Sequence, residues 1–311
     1  MLLPMKLIPE YRPYVWGGER LRPGQKTAEA WVVYEQDRIA SGAYAGRTLA
    51  EAASVEGPAL LGRRALAATG LRFPLLVKLL DCADWLSLQV HPNDAQAQQI
   101  EGPGMFGKNE AWYTIDADPD SRLMCGFKPG VTAGDLPAIL RSTEVAEYVL
   151  SHPAQPGDTI SIRPGLIHAL GPGLFIYEVQ QTSDLTYRVF DWNRPSGGNR
   201  PLHIDKSLAV LDPAAPVDIR PTPPVAPGLP AVLIETAYFR LQLVSGGAPV
   251  ELYPAGETFH AITVVAGECR VLVDSSGYAL STFETLLVPA ACVAYTIEAP
   301  AGARVLVAGV P

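Results

Sequence analysis

Apolar and polar positions alternate with period two over much of this chain. Leu86-Ser87-Leu88-Gln89-Val90-His91 and Thr159-Ile160-Ser161-Ile162 both repeat every second residue, the spacing of a half-buried strand. Residues 31–34 read as a short strand, and from Leu75 onward the pattern is mostly β. Helical spacing is confined to the Ala- and Leu-rich stretch 51–67, to 133–150, which predicts one or two short helices, and to 206–211. In 231–311 the runs ITVV, CRVLV, TLLVP and RVLVAG are separated by Gly, Pro and Ser, which predicts a sandwich or barrel of short strands. Between the mixed first part and this β region lies DPAAPVDIRPTPPVAPGLP, with seven prolines in nineteen residues. That density suits neither a helix nor a central strand and marks a linker. The expected organisation is therefore 1–211, a linker over 212–230, and a second domain over 231–311.

A repeat lies within this pattern. GDTISIRPGLIH (157–168) and FETLLVPAACVA (283–294) have one length and one logic: an alternating strand, a Pro-containing turn, a return strand. The second copy has Phe283 in place of the Gly and Ala294 in place of the His. The pair reads as two barrels, of which only the first keeps a live site.

Composition narrows the class. The 311 residues are 48% apolar and 18% charged, with 29 Pro and 28 Gly, which excludes disorder, coiled coil and collagen and fits a compact, turn-rich protein. A net charge of −8 argues against nucleic acid or an anionic membrane as partner. It leaves room for a small anionic substrate, because a few local cations suffice to bind one. The four cysteines follow no CxxC spacing, so neither a zinc ribbon nor a disulfide framework is expected. The opening MLLPMKLIPEYRPYVW lacks the apolar core and cleavage site of a signal peptide, and no run approaches eighteen apolar residues. The expectation is a cytoplasmic protein with reduced thiols.

Candidate chemistry gathers in SLQVHPND. On a strand, Gln89 and His91 project from one face. Glu110 follows in GKNEAWY, heading another apolar strand, and His168 sits at the barrel turn of the repeat. Two imidazoles, a carboxylate and an amide oxygen make an N/O donor set for Zn²⁺ with an open position; Fe²⁺, Mn²⁺ or Co²⁺ would fit the same donors. A second group, FIYEVQQTSDLTYRVFDW, sets Glu178 and Arg188 ten apart with Gln180, Ser183 and Asp184 between them. These two could serve as general base and oxyanion or phosphate clamp, or form a strand-end salt bridge. Lys78, Ser87 and Lys108 flank the first group and could meet a phosphate. Of the other histidines, His152 is expected in a solvated loop, His260 in packing, and His203 capping or orienting the helix after it.

SLQVHPND, GKNEAWY, GLIHALG and QQTSDLTYRVFDW, in this order, resemble the type I mannose-6-phosphate isomerase family, in its short bacterial and archaeal form. YVWGG and PLHIDKSLAVLD fit the same family, and the resemblance spans the chain. It implies a mainly β bicupin, two jelly-roll barrel-like domains with a few short helices, holding one metal, usually zinc, in the first barrel. It also implies interconversion of mannose 6-phosphate and fructose 6-phosphate through a cis-enediol. By motif the ligands would be Gln89, His91, Glu110 and His168. Arg188 and Glu178 would be active-site residues, with Lys78, Ser87 and Lys108 facing the phosphate. The sequence departs from the family at Arg163-Pro164-Gly165, where Pro-x-Gly is commoner, and lacks the helical insertion of the longer relatives. Two other readings stand beside it: a non-catalytic sugar-phosphate-binding cupin, and an iron oxygenase with His91, Glu110 and His168 as its facial ligands. Monomer and homodimer are not distinguished.

Overall fold

The computed structural model describes residues 2–194 and 200–311. It is mainly β, with open antiparallel sheets and a few short helices. The chain divides into two compact units. One comprises Met1–Arg12, Ala30–Leu79 and Thr222–Pro311, the other Pro13–Glu29 and Leu80–Pro221. This is not the linear division expected from the proline-rich segment, because residues 30–79 group with the C-terminal strands. The change of unit after Pro221 does fall inside 212–230, but part of that segment, Asp218–Arg220, is itself a strand paired with Thr159–Ile162.

The unit containing Leu80–Pro221 carries the candidate residues. One of its sheets runs in the order Tyr187–Phe190, Leu88–Val90, His168–Leu170, Arg122–Phe127, Val149–Pro153. A second set of strands runs Asp218–Arg220, Thr159–Ile162, Glu110–Ala117, Leu174–Gln181. Period-two alternation decides which side chains meet. Leu88, Val90, Ile167, Ala169, Tyr187 and Val189 pack on the outer face of the first sheet, against Leu136, Ile139 and Val210. The residues between them, Gln89, His168 and Arg188, must therefore point the other way. Leu123, Cys125 and Leu170 of the first sheet share a core with Trp112, Ile160, Ile162 and Ile176 of the second. The helix Asp94–Glu101 is closed by a capping box, Asn93 and Gln96 each accepting from the other's backbone N–H.

In the other unit, strands Ala231–Glu235, Arg240–Ser245, Arg304–Gly309, His260–Ala266, Thr285–Val288, Met5–Ile8 and Arg38–Ile39 form one sheet. Val250–Leu252, Tyr295–Glu298, Glu268–Val273 and Ser276–Ser281 form another. Apolar side chains of both, such as Ile262, Val307, Val271 and Ile297, make a common core. The helical stretch expected over 51–67 is two helices, Leu49–Glu56 and Pro58–Thr69, separated at Gly57 with proline opening the second.

The repeat is structural. The two copies give strands Thr159–Ile162 and Thr285–Val288, 126 residues apart at both ends. Ile162 pairs with Glu110, and Val288 pairs with His260, so His260 stands in the second unit where Glu110 stands in the first. Gly157 and Phe283 both adopt positive φ, +92° and +70°, and their N–H groups donate to Thr114 O and Val264 O. Only the glycine adopts that backbone without steric cost.

One buried carboxyl ties stability to pH. Asp37, 2% exposed, lies in a turn in which its own N–H donates to Tyr34 O and its carbonyl accepts from Leu49 N. Burial pushes its carboxyl up to about 8 from the ordinary 3.8. Over that interval the folded chain keeps a proton that the unfolded chain has released, so the contribution, complete at lower pH, is lost as pH rises toward 8. The loss is up to about 1.4 kcal/mol per pH unit. Denaturation of parent and Asp37→Asn near pH 5, 6 and 7 should show the gap between them changing by that slope. Parallel curves would remove Asp37 as the cause.

Candidate metal and active site

Three side chains from the two sheets of one unit meet in its interior. His91 follows the strand Leu88–Val90, His168 opens His168–Leu170, and Glu110 opens Glu110–Ala117. All three are wholly buried. His91 Nε2 and His168 Nε2 lie 3.1 Å apart, and they stand 3.5 and 3.4 Å from the two Glu110 oxygens. A tetrahedral ion with ligands at about 2.0–2.2 Å spaces its donors roughly 3.3–3.6 Å apart, close to these separations.

The backbone fixes which imidazole nitrogen faces inward. His91 Nδ1 is 2.9 Å from Leu185 O, and His168 Nδ1 is 2.8 Å from Leu166 O. A carbonyl only accepts, so each Nδ1 carries the proton and each Nε2 presents a lone pair toward the other and toward Glu110. Burial, reinforced by the Lys108 ammonium, draws His91 down to about 4, and burial lowers His168 as well. Burial is the largest influence on Glu110 and opposes its charge, but Lys108, whose Nζ is 3.0 Å from Oε2, together with His91 and His168 overcomes it and holds the carboxyl well below its usual range. Neither Glu110 oxygen receives a hydrogen bond of good geometry from a described residue. Two bare imidazole nitrogens and an under-satisfied carboxylate, buried together, fit a divalent cation.

Around these three the register places the rest. Gln89 pairs with His168 on one side and Arg188 on the other, and directly paired residues share a face, so Arg188, Gln89 and His168 form one row. Gln180 pairs with Glu110, and Glu178 with Trp112, on the facing strands. Trp112 Nε1 donates to Glu178 Oε2 at 2.8 Å, and its ring stands edge-on to His168 at 5.4 Å. Arg188 Nη1 donates to Pro201 O at 3.0 Å. Ser87, 3% exposed, precedes the Gln89 strand with the same parity. Lys108 is committed to Glu110 rather than standing apart as a surface cation. Lys78 falls in the other unit, buried on Leu75–Asp81 with its ammonium 5.0 Å from the Trp31 ring centre.

Trp112 was not among the expected site residues, although its place two after Glu110 puts it on the same face. The carbonyls of Leu166 and Leu185 carry no side-chain signal at all. His152 is not in a solvated loop: it lies on Val149–Pro153 with Nε2 3.1 Å from Cys125 O. His203 holds the cap position of Ile204–Val210, but its Nδ1 accepts from Arg188 N instead of closing the helix. His260 is packed, its Nδ1 2.8 Å from Tyr295 Oη.

The family described as phosphomannose isomerase type I, catalytic domain, matches residues 5–129, a span that includes Gln89, His91 and Glu110. The "Probable mannose-6-phosphate isomerase GmuF" of Bacillus subtilis is 33% identical over 324 residues, covering 96% of this chain and 97% of its own. The mannose-6-phosphate isomerase of Streptococcus mutans is 32% identical over 303 residues, covering 93% of each. In three dimensions the crystal structure of the mannose 6-phosphate isomerase from Bacillus subtilis superimposes with a TM-score of 0.88 over 99% of both chains at 26% identity. With this likeness extending over nearly the whole length, and with the paired histidines and carboxylate in its interior, the chain belongs to the type I phosphomannose isomerase family.

Proposed function

We propose that the protein interconverts mannose 6-phosphate and fructose 6-phosphate through a cis-enediol, with Zn²⁺ held by Gln89, His91, Glu110 and His168. The observation that carries this reading is the convergence of His91, Glu110 and His168, with both Nδ1 atoms tied to carbonyls and both Nε2 atoms facing the carboxylate. When bound, the cation supplies Lewis-acid stabilisation of the sugar oxygen that gains charge as the α-proton leaves. Glu178, oriented by the Trp112 indole N–H, takes that proton from one carbon and returns it to the next. Arg188, in the row of Gln89 and His168, donates to the developing oxyanion. Ser87 and Lys108 are read as phosphate contacts, with Lys108 dividing its charge between the phosphate and Glu110. Holding the phosphate end orients the reacting carbons, so binding energy remote from the chemistry lowers the barrier.

The two units are read as the two barrels of a bicupin, with ligands in only one. The second unit places His260, bonded to Tyr295, at the position of Glu110, and the repeat places Ala294 at the position of His168, which loses the carboxylate and one imidazole. Four buried free thiols fit a reducing, cytoplasmic setting. Among the described residues no helix is long and apolar enough to cross a membrane.

The test is a coupled isomerase assay with mannose 6-phosphate on metal-stripped protein. Turnover should disappear on stripping and return with Zn²⁺. Failure of zinc, manganese and cobalt alike to restore it, in protein that binds them, would overturn the isomerase reading.

A further inference from the structure

The turn after the Glu178 strand is held by a side chain that takes no part in the chemistry above. Gln180 is wholly buried and pairs with Glu110 in register. Its Nε2 donates to Ser183 O and, at 3.2 Å, to Gln181 O. Because both partners are carbonyls, the amide nitrogen is fixed on that side. Ser183 is pinned again through its hydroxyl, which donates to Phe106 O at 2.9 Å and accepts from Leu185 N at 3.4 Å. Leu185 then offers the carbonyl that fixes Nδ1–H of His91.

Gln181 ties the same turn to the opposite ligand. Its N–H donates to Asn109 O at 3.1 Å, and its Oε1 accepts from Asn109 N at 2.9 Å. Its Nε2 donates to Asp94 Oδ1, which also accepts from Gly107 N. Gly107 tolerates no side chain there, since a Cβ would lie 2.4 Å from the Asn93 carbonyl carbon. Asn109 separates Lys108 from Glu110, so one five-residue turn is bonded toward His91 at one end and toward Glu110 at the other.

We propose that Gln180 is a positioning residue for the metal ligands: it sets the shape of the turn 181–185, and through Leu185 O it sets the tautomer and aim of His91. This rests on the reading that a cation binds at His91, Glu110 and His168. Gln180→Met keeps the length of the side chain and removes both donors. Gln180→Glu sets a carboxylate oxygen against two carbonyls and should act more strongly.

The measurement is zinc affinity of the metal-free protein by chelator competition, together with the visible d–d spectrum of the Co²⁺ form. Loss of an outer partner of a metal-bound histidine typically weakens binding about 10–100-fold; Gln180→Met displaces that partner without deleting it, so a loss of about tenfold is the expected result. The Co²⁺ bands should move, while the melting midpoint of the metal-free variant stays near that of the parent. Parental affinity and an unchanged Co²⁺ spectrum would overturn the role. So would a loss of affinity matched by an equal loss of metal-free stability, which marks general packing. If Gln180→Glu does not fold, Ser183→Ala supplies the second variant with the same readouts and the same expected direction. A parent that binds neither zinc nor cobalt overturns the metal reading itself, and this inference with it.

Discussion

Glu110→Gln should lower kcat/KM for mannose 6-phosphate on the order of a thousand-fold or more, and it should also destabilise the metal-free protein. The first effect follows from losing the only carboxylate among the three converging donors, when a bound cation is worth several kcal/mol of transition-state stabilisation. The second has a separate cause. Lys108 Nζ, 3.0 Å from Glu110 Oε2 and almost fully buried, would be left without its counter-charge. Removing one member of a buried pair costs about 3–5 kcal/mol, much of it the uncompensated charge that remains. The double variant Glu110→Gln with Lys108→Met should therefore recover most of the lost stability and none of the activity. Chemical denaturation of metal-stripped protein separates the two effects. A single variant as stable as the parent would show that Lys108 does not depend on Glu110.

Glu178→Gln carries the other large effect. An amide oxygen can still accept from Trp112 Nε1, so the local geometry should survive while the proton acceptor is gone. The expected loss is about 10²–10⁴-fold in kcat, with bound metal per chain unchanged. Exchange of the substrate's C2 hydrogen with solvent should fall in step. A loss smaller than tenfold would place the base elsewhere and return Glu178 to a structural role beneath Trp112.

The legible part of this molecule was whatever period two could carry. Parity alone put Gln89 and His91 on one face, alternation gave the strand Thr159–Ile162, and the repeat pointed to its counterpart Thr285–Val288. Helix Asp94–Glu101 escaped notice because DAQAQQIE buries only Ala97, which leaves no apolar stripe, and its signal lies in the Asn93–Gln96 cap. The division into units was hidden for a different reason. Met5–Ile8 pairs with Thr285–Val288, and local pattern cannot report a partner so far along the chain. At the site, side-chain types marked His91 and His168 as candidates, but their aim depends on the Leu166 and Leu185 carbonyls, which any residue would possess. In sequence Lys108 reads only as a phosphate contact; its pairing with Glu110, two residues on, shows only once the fold buries both.

The pairing of Met5 with Leu287 also sets a timetable for synthesis. A ribosome adding about 5–20 residues per second needs roughly 15–55 s to make the ~280 residues between them. Every residue of the unit that holds His91, Glu110 and His168 has been made by Pro221, with much of the other unit still to come. Until Thr285–Val288 emerges, Met5–Ile8 has only the two-residue strand Arg38–Ile39 beside it, and its other edge stands open. An open edge is a template for pairing with another chain, so this strand stays exposed to mispairing until synthesis is nearly over.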